Sequence, residues 1–243
     1  MSVLAVIPAR YQSSRFPGKP LVDIGGKSMI QRVYEQVEKA AQVSMAIVAT
    51  DDDRIYQHVF GFGGKVMMTS SEHQSGTDRV AEVAQAYADY DFVINIQGDE
   101  PFIDPGQIDV VAEDLIGGAS ISTLAKKIED ADSLFNSNVV KVVFNQKKRA
   151  MYFSRSTLPF LRNYAQEEWI QKGSFYKHIG LYGFERETLL QITNLPLGHY
   201  EQLEALEQLR WLEAGFEISV NLTNKETIGI DTPEDIEKIK KYL

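Results

Sequence analysis

The feature that most constrains this fold is an alternation. Apolar runs of strand length, Val3 to Ile7, Met45 to Thr50, Lys65 to Met68 and Phe92 to Ile96, are separated by segments of helical character. The first helix begins at Ser28-Met29-Ile30-Gln31, which has the spacing of a capping box, and runs to about Ala40 with Ile30, Val33 and Val37 on one face. The second covers Asp53 to about Phe60, and the third about Asp78 to Ala88. Strands alternating with helices predict an α/β fold, a Rossmann-like, mostly parallel sheet with helices on both faces. A further helix is expected over Asp104 to Ile116 and a strand over Ser120 to Ala125. The pattern then changes. Val139 to Phe144 and Ala150 to Phe153 read as a hairpin around Asn145 to Arg149, and Phe175 to Phe184 as a strand, so a smaller β-rich lobe, about 136–200, is expected as an insertion in a single domain, 1–243. A helix over Tyr200 to Ala214, a strand over Glu217 to Leu222 and a helix opening at Thr232-Pro233 complete the chain.

The loop after the first strand carries the first functional signal. Pro8 is expected to end the strand, and Arg10, Arg15 and Lys19 follow among small and turn-forming residues, with no anion before Asp23. The whole chain is acidic, with a net charge of −9, so three cations at one strand's carboxyl end point to an anionic ligand there. The loop is neither a Walker A loop nor a G-x-G-x-x-G turn, and the expectation is a phosphate gripped by side-chain charge together with backbone N–H groups. The same acidity argues against nonspecific binding to nucleic acid or to an acidic membrane surface. With no cysteine there is no disulfide, thiolate nucleophile or Cys-type zinc site. Met1 leads within two residues into the first strand and no apolar run approaches membrane-spanning length, so a soluble, cytoplasmic protein is expected.

Carboxylates gather at other strand ends. Asp51-Asp52-Asp53 follows the second strand and suits either a metal or the start of the next helix, with capping favoured. Gln97-Gly98-Asp99-Glu100-Pro101 follows the fourth, where a carboxylate faces the crevice of an open α/β sheet and suits Mg²⁺, which takes one or two carboxylates plus substrate phosphates. Asp231 precedes Thr232-Pro233 and reads as a helix N-cap as readily as a ligand. Tyr176, His178, Gly180 and Tyr182 fall on one face of a strand and form a polar stripe that suits either a sugar pocket or an exposed sheet face.

The run V-I-P-A-R-Y-Q-S-S-R-F-P-G-K-P-L closely resembles the N-terminal signature of sugar-activating nucleotidyltransferases, and among them the 3-deoxy-manno-octulosonate (Kdo) cytidylyltransferases. H-Q-S-G-T-D-R, Q-G-D-E-P, Y-F-S-R-S, K-H-I-G-L-Y-G-F, E-A-L-E-Q-L-R and D-T-P-E-D extend the resemblance over nearly the full chain. The resemblance implies transfer of CMP from CTP to Kdo for lipopolysaccharide synthesis, with Mg²⁺ as cofactor, in a homodimer that has the β-rich lobe at its interface. It implies catalytic roles for Lys19, Asp99 and Asp231, the two carboxylates holding the metal. It gives nucleotide contacts to Arg10, Arg15, Lys19, Ser75, Gly76, Arg79 and Gln97, and sugar contacts to Arg155, His178, Tyr182, Glu207 and Gln208. A carboxylated sugar suits a cation such as Arg155, and its hydroxyls suit Tyr, His, Gln and Glu partners. The chain departs from that pattern after Leu158-Pro159, where it reads Phe160-Leu161-Arg162 in place of an Asp-Arg pair. The sequence leaves open 8-amino-Kdo or a sialic-acid-like acid as acceptor, and a non-catalytic nucleotide sensor.

Overall fold

The computed structural model describes residues 1–12, 16–227 and 229–239. Among the described residues, nine strands form one sheet: β1 (Val3–Ala9), β2 (Met45–Thr50), β3 (Val66–Met68), β4 (Phe92–Asn95), β5 (Ile121–Lys127), β6 (Lys141–Phe144), β7 (Ala150–Ser154), β8 (Tyr176–Glu185) and β9 (Ser219–Thr223). The helices are α1 (Met29–Val37), α2 (Asp53–Gly61), α3 (Gly76–Ala86), α4 (Pro105–Ile116), α5 (Ala131–Phe135), α6 (Trp169–Lys172), α7 (Arg186–Ile192), α8 (His199–Glu204), α9 (Gln208–Glu213) and α10 (Pro233–Ile239). The strand order is β3-β2-β1-β4-β8-β5-β9. β3, β2, β1 and β4 run parallel, β8 is antiparallel to both β4 and β5, and β9 is parallel to β5. The mostly parallel α/β sheet read from the sequence is the observed fold.

Both faces are covered, as near-continuous apolar strands require. Val3, Ala5, Ile7 and Ala9 face one core with Ile30, Val33 and Val37 of α1, Ile55 of α2 and Val111 of α4. Leu4 and Val6 face the other with Val80 and Val83 of α3, Leu189 of α7 and Trp211 of α9. Ser28 caps α1 by accepting from the Gln31 N–H, although the Gln31 side chain turns to Glu35 rather than closing a reciprocal box. Asp52 caps α2, which bears out the capping reading of the three acids. Among the described residues, no helix is long and apolar enough to cross a membrane.

Three expectations are corrected. Pro8 does not end β1, because it pairs in register with Ala49 of β2. The Val6 carbonyl accepts from the Ile96 N–H on the β4 side, so Pro8, two residues on, turns its donorless nitrogen to that same side, where β4 has already ended. The second correction concerns β8, expected in the inserted lobe. It sits in the middle of the sheet, since Ile179 and Leu181 enter one core while Tyr182 and Phe184 enter the other. A strand apolar on both faces belongs where both faces are covered. The hairpin β6–β7 does form, joined to β8 through Lys141 opposite Lys177.

Third, the helix expected over Tyr200 to Ala214 is two helices, α8 and α9, broken at Ala205, which has φ 49°. The cause is Arg155. Its Nε donates to the Glu204 carbonyl at 2.7 Å and its Nη2 to the Ala205 carbonyl at 3.3 Å, so these carbonyls turn out of the helix toward the guanidinium. The segment at the sequence departure leads into the short helix α6, outside the sheet. Leu161 packs on a satellite core of Ile128, Leu134, Trp169 and Phe175, and the Phe160 ring meets Trp169 edge to face at 5.0 Å.

Candidate active site

In an open α/β sheet the ligand crevice lies at the strands' carboxyl ends, where the order reverses. Here that is the gap between β1 and β4, because β2 and β3 lie to one side of β1 and β4 to the other. Lys19 opens a single 3-10 turn, Lys19–Leu21, at the end of the loop that follows β1. Asp99 lies in the turn after β4. Asp231 reaches the same place from the far end of the chain, because the Ile230 N–H donates to the Asp99 carbonyl at 3.0 Å. The Lys19 ammonium stands between the two carboxylates, 2.8 Å from Asp99 Oδ2 and 3.5 Å from Asp231 Oδ1.

At the start of α10, Asp235 reaches back, and its carboxylate accepts from the backbone N–H groups of Asp231 and Thr232. Gly98 has a separate requirement. A Cβ there would lie 2.8 Å from the Pro8 carbonyl oxygen, which belongs to β1 and cannot swing aside. Gly98→Ala is therefore expected to displace the Asp99 turn and lower turnover about tenfold or more, while costing only about 1–3 kcal/mol of stability. Steady-state kinetics paired with urea unfolding checks both halves of that expectation.

The donor chemistry fits a hard cation. Two carboxylates from distant segments converge on one cationic position, which the Lys19 ammonium now holds, and oxygen is the donor Mg²⁺ requires. Among the described residues no group of three or more His, Asp or Glu side chains comes together. Glu100, next to Asp99, is half-buried, with one buried carboxylate oxygen lacking a hydrogen-bond partner among the described residues, and burial pushes its carboxyl up to about 7.

Around this centre, Gln97 Nε2 donates to the Gly180 carbonyl of β8 at 3.1 Å, forming a wall between the two halves of the sheet. Arg10 donates to the carbonyls of His73 and Ser75, tying the basic loop to the start of α3. Ser75 caps α3 in a reciprocal box with Asp78, and a Cβ at Gly76 would come into van der Waals contact with the Pro8 ring, so the N-terminus of α3 abuts the crevice. Arg15 lies outside the described residues. Arg79 departs from its expected place. It is fully buried, ion-paired to Asp51 at 3.0 Å and bonded to Thr69, so it braces the ends of β2 and β3 against α3 rather than facing the crevice.

The predicted sugar-side residues also gather, on the α3–α9 face of β8. His178 lies 3.0 Å from the Thr123 hydroxyl, and its ring is 5.2 Å from that of Tyr182. The Tyr182 hydroxyl is buried without a hydrogen-bond partner among the described residues, and burial raises its pKa. Glu207 accepts from the Thr77 hydroxyl at 2.6 Å, and burial pushes its carboxyl up. Gln208 is buried beside it at the start of α9. Arg155 is held at the α8–α9 break, with Glu204 accepting from its backbone N–H at 2.9 Å. The sequence reading missed Thr77, Thr123 and Glu204, which are ordinary polar residues until their partners are in place. It also missed Lys141, fully buried and donating to the carbonyls of Asn136, Val139 and Arg155.

Burial alone pushes the His178 imidazole down to about 3, so it is neutral in the fold. Below the ordinary histidine range the unfolded chain takes up a proton that the folded chain refuses. Stability from this site is thus complete above about pH 6.5 and is lost as pH falls toward 3. His178→Gln removes that term. The difference in urea midpoint between wild type and variant is expected to move in the variant's favour from pH 7 to pH 5, and a constant difference would refute the assignment.

The family model described as cytidylyltransferase matches residues 4–241. The 3-deoxy-manno-octulosonate cytidylyltransferase of Cytophaga hutchinsonii is 51% identical over 241 residues, covering 98% of this chain and 96% of that protein. The enzyme of the same name from Bacteroides thetaiotaomicron is 51% identical over 251 residues, covering 100% and 98%. Among solved structures, CMP:2-keto-3-deoxy-manno-octonic acid synthetase complexed with CTP superposes with a TM-score of 0.92 at 42% identity, covering 100% of this chain and 98% of that one. A putative glucose-1-phosphate thymidylyltransferase from Bacillus anthracis, at 15% identity and TM-score 0.67, shares the fold. The chain belongs to the cytidylyltransferase family, in its 3-deoxy-manno-octulosonate branch.

Proposed function

We propose that this chain transfers CMP from CTP to the anomeric 2-hydroxyl of 3-deoxy-D-manno-octulosonate, releasing pyrophosphate and supplying CMP-Kdo for lipopolysaccharide synthesis. The observation that carries the reading is the meeting of Lys19, Asp99 and Asp231 at the carboxyl ends of β1 and β4. The triphosphate enters against the basic loop and the N-terminus of α3, where Arg10, Ser75 and Gly76 lie. Lys19 holds charge on the α-phosphoryl group while the sugar hydroxyl attacks in line. Asp99 and Asp231 are the residues that would hold Mg²⁺, which when bound would neutralise triphosphate charge and acidify the attacking hydroxyl. His178, Tyr182, Glu207 and Gln208 orient the sugar on the other side of Gln97, and Arg155 receives its carboxylate. No covalent intermediate is needed, and catalysis is positioning and charge stabilisation. A cytoplasmic location follows from the substrates. A homodimer through the region around β7 and α8 is part of the same reading, supported there by exposed Met151, Tyr200 and Leu203.

The test is pyrophosphate release from each of the four nucleoside triphosphates with Mg²⁺, alone and with Kdo, 8-amino-Kdo or sialic acid. Release only with CTP and Kdo is the expected result. Release preferring 8-amino-Kdo or sialic acid reassigns the acceptor. CTP binding without release for any acid would overturn the reading in favour of a sensor.

A further inference from the structure

Lys19, Asp99 and Asp231 come from three segments, none of which lies within a strand or a long helix at that point. Irregular backbone holds reacting groups to within fractions of an ångström only where something else tethers it. The tether is a third apolar cluster, separate from the two that pack the sheet. Ile24, Met29 and Ile230 are buried in it, with Phe16, Phe102 and Ile236 packed against them. Phe16 lies three residues before Lys19, Phe102 lies three residues after Asp99, and Ile230 is adjacent to Asp231. Each of the three segments thus sends one apolar side chain into the same small core.

Backbone bonds join the same parts. The Met29 N–H donates to the Val22 carbonyl at 2.9 Å and the Val22 N–H to the Lys19 carbonyl at 3.2 Å, while the Ile230 N–H donates to the Asp99 carbonyl. We infer that this cluster sets the geometry of the reacting centre, with Ile230 as its principal positioning residue, a role that rests on the proposed reaction. Ile230 touches no substrate. It acts by fixing where the Asp231 carboxylate stands relative to Asp99 and Lys19. The sheet cores do not depend on it, so its loss disturbs the site before the fold.

The test compares wild type, Ile230→Ala, Ile230→Val and Phe102→Leu. Ile230→Ala is expected to lower kcat about ten- to a hundredfold, to change KM for CTP far less, and to leave the main unfolding transition in place. Amide hydrogen exchange at Ile230 and Asp231 is expected to accelerate while exchange in β1 and β4 stays slow, a readout independent of turnover. Ile230→Val is expected to recover most of the activity. Phe102→Leu, at the partly buried rim, is expected to give a smaller loss of the same kind, and it carries the test if Ile230→Ala fails to fold. Accelerated exchange at Ile230 with wild-type kcat would overturn the inference, as would accelerated exchange in β1 and β4 in both variants. If wild type itself fails to transfer CMP, the proposed reaction falls, and the exchange pattern still decides whether the cluster fixes Asp231.

Discussion

Lys19→Ala is expected to lower CMP transfer about 10²- to 10³-fold at saturating CTP, with the fold retained. The ammonium is the one cation placed between Asp99 and Asp231 among the described residues, and its side chain is only 16% exposed, so it acts where water screens weakly. A nearby solvent cation cannot replace a group held at 2.8 Å by the fold. The variant also leaves two carboxylates facing each other, so the site is expected to tighten its demand for added Mg²⁺ rather than lose it. Stopped or continuous pyrophosphate assays, with circular dichroism to confirm folding, decide the matter. Turnover within a factor of a few of wild type would remove Lys19 from the reaction.

The second large effect is expected from Asp99→Asn. The substitution keeps the shape of the side chain and removes the charge, so the Lys19 contact weakens to a neutral acceptor and the pair of carboxylates becomes one. Turnover is expected to fall by about three orders of magnitude, with the Mg²⁺ concentration for half-maximal activity rising. Asp99 is about one-third exposed, so the stability cost is expected to be small. A Mg²⁺ titration of the variant beside Asp231→Asn gives the check. If Asp99→Asn leaves the Mg²⁺ requirement unchanged, the carboxylate does not hold the metal.

How much of this was legible depends on the residue. β1 to β4 were readable because their apolar runs are short, bounded by turn residues, and separated by helical periodicity. The convergence of Lys19, Asp99 and Asp231 was readable only as a matching set of motifs, since nothing in the spacing of positions 19, 99 and 231 encodes a distance. Arg79 misled because an arginine in a polar loop looks like a ligand group, and its true partner, Asp51, lies at the end of a different strand. The break at Ala205 carries no glycine or proline to announce it. Its cause is a guanidinium fifty residues upstream, which no local pattern contains. β8 was visible as a strand but not as the centre of the sheet, because alternating apolar residues look the same beside any pair of neighbours. The short helices α5 and α7 have too few turns to display a period.

The position of β8 has a consequence for how the chain is made. β4 is complete at Asn95, yet the strand that covers its open side, β8, begins only at Tyr176. At about 5–20 residues per second of synthesis, that edge stands uncovered on the ribosome for several seconds or longer. The nucleotide half of the sheet is then a nascent four-stranded sheet with an exposed apolar rim, the kind of intermediate that recruits chaperones or misassembles. Substitutions that slow β8 docking are therefore expected to appear first as lower yield of soluble protein during expression, before any change in the finished enzyme.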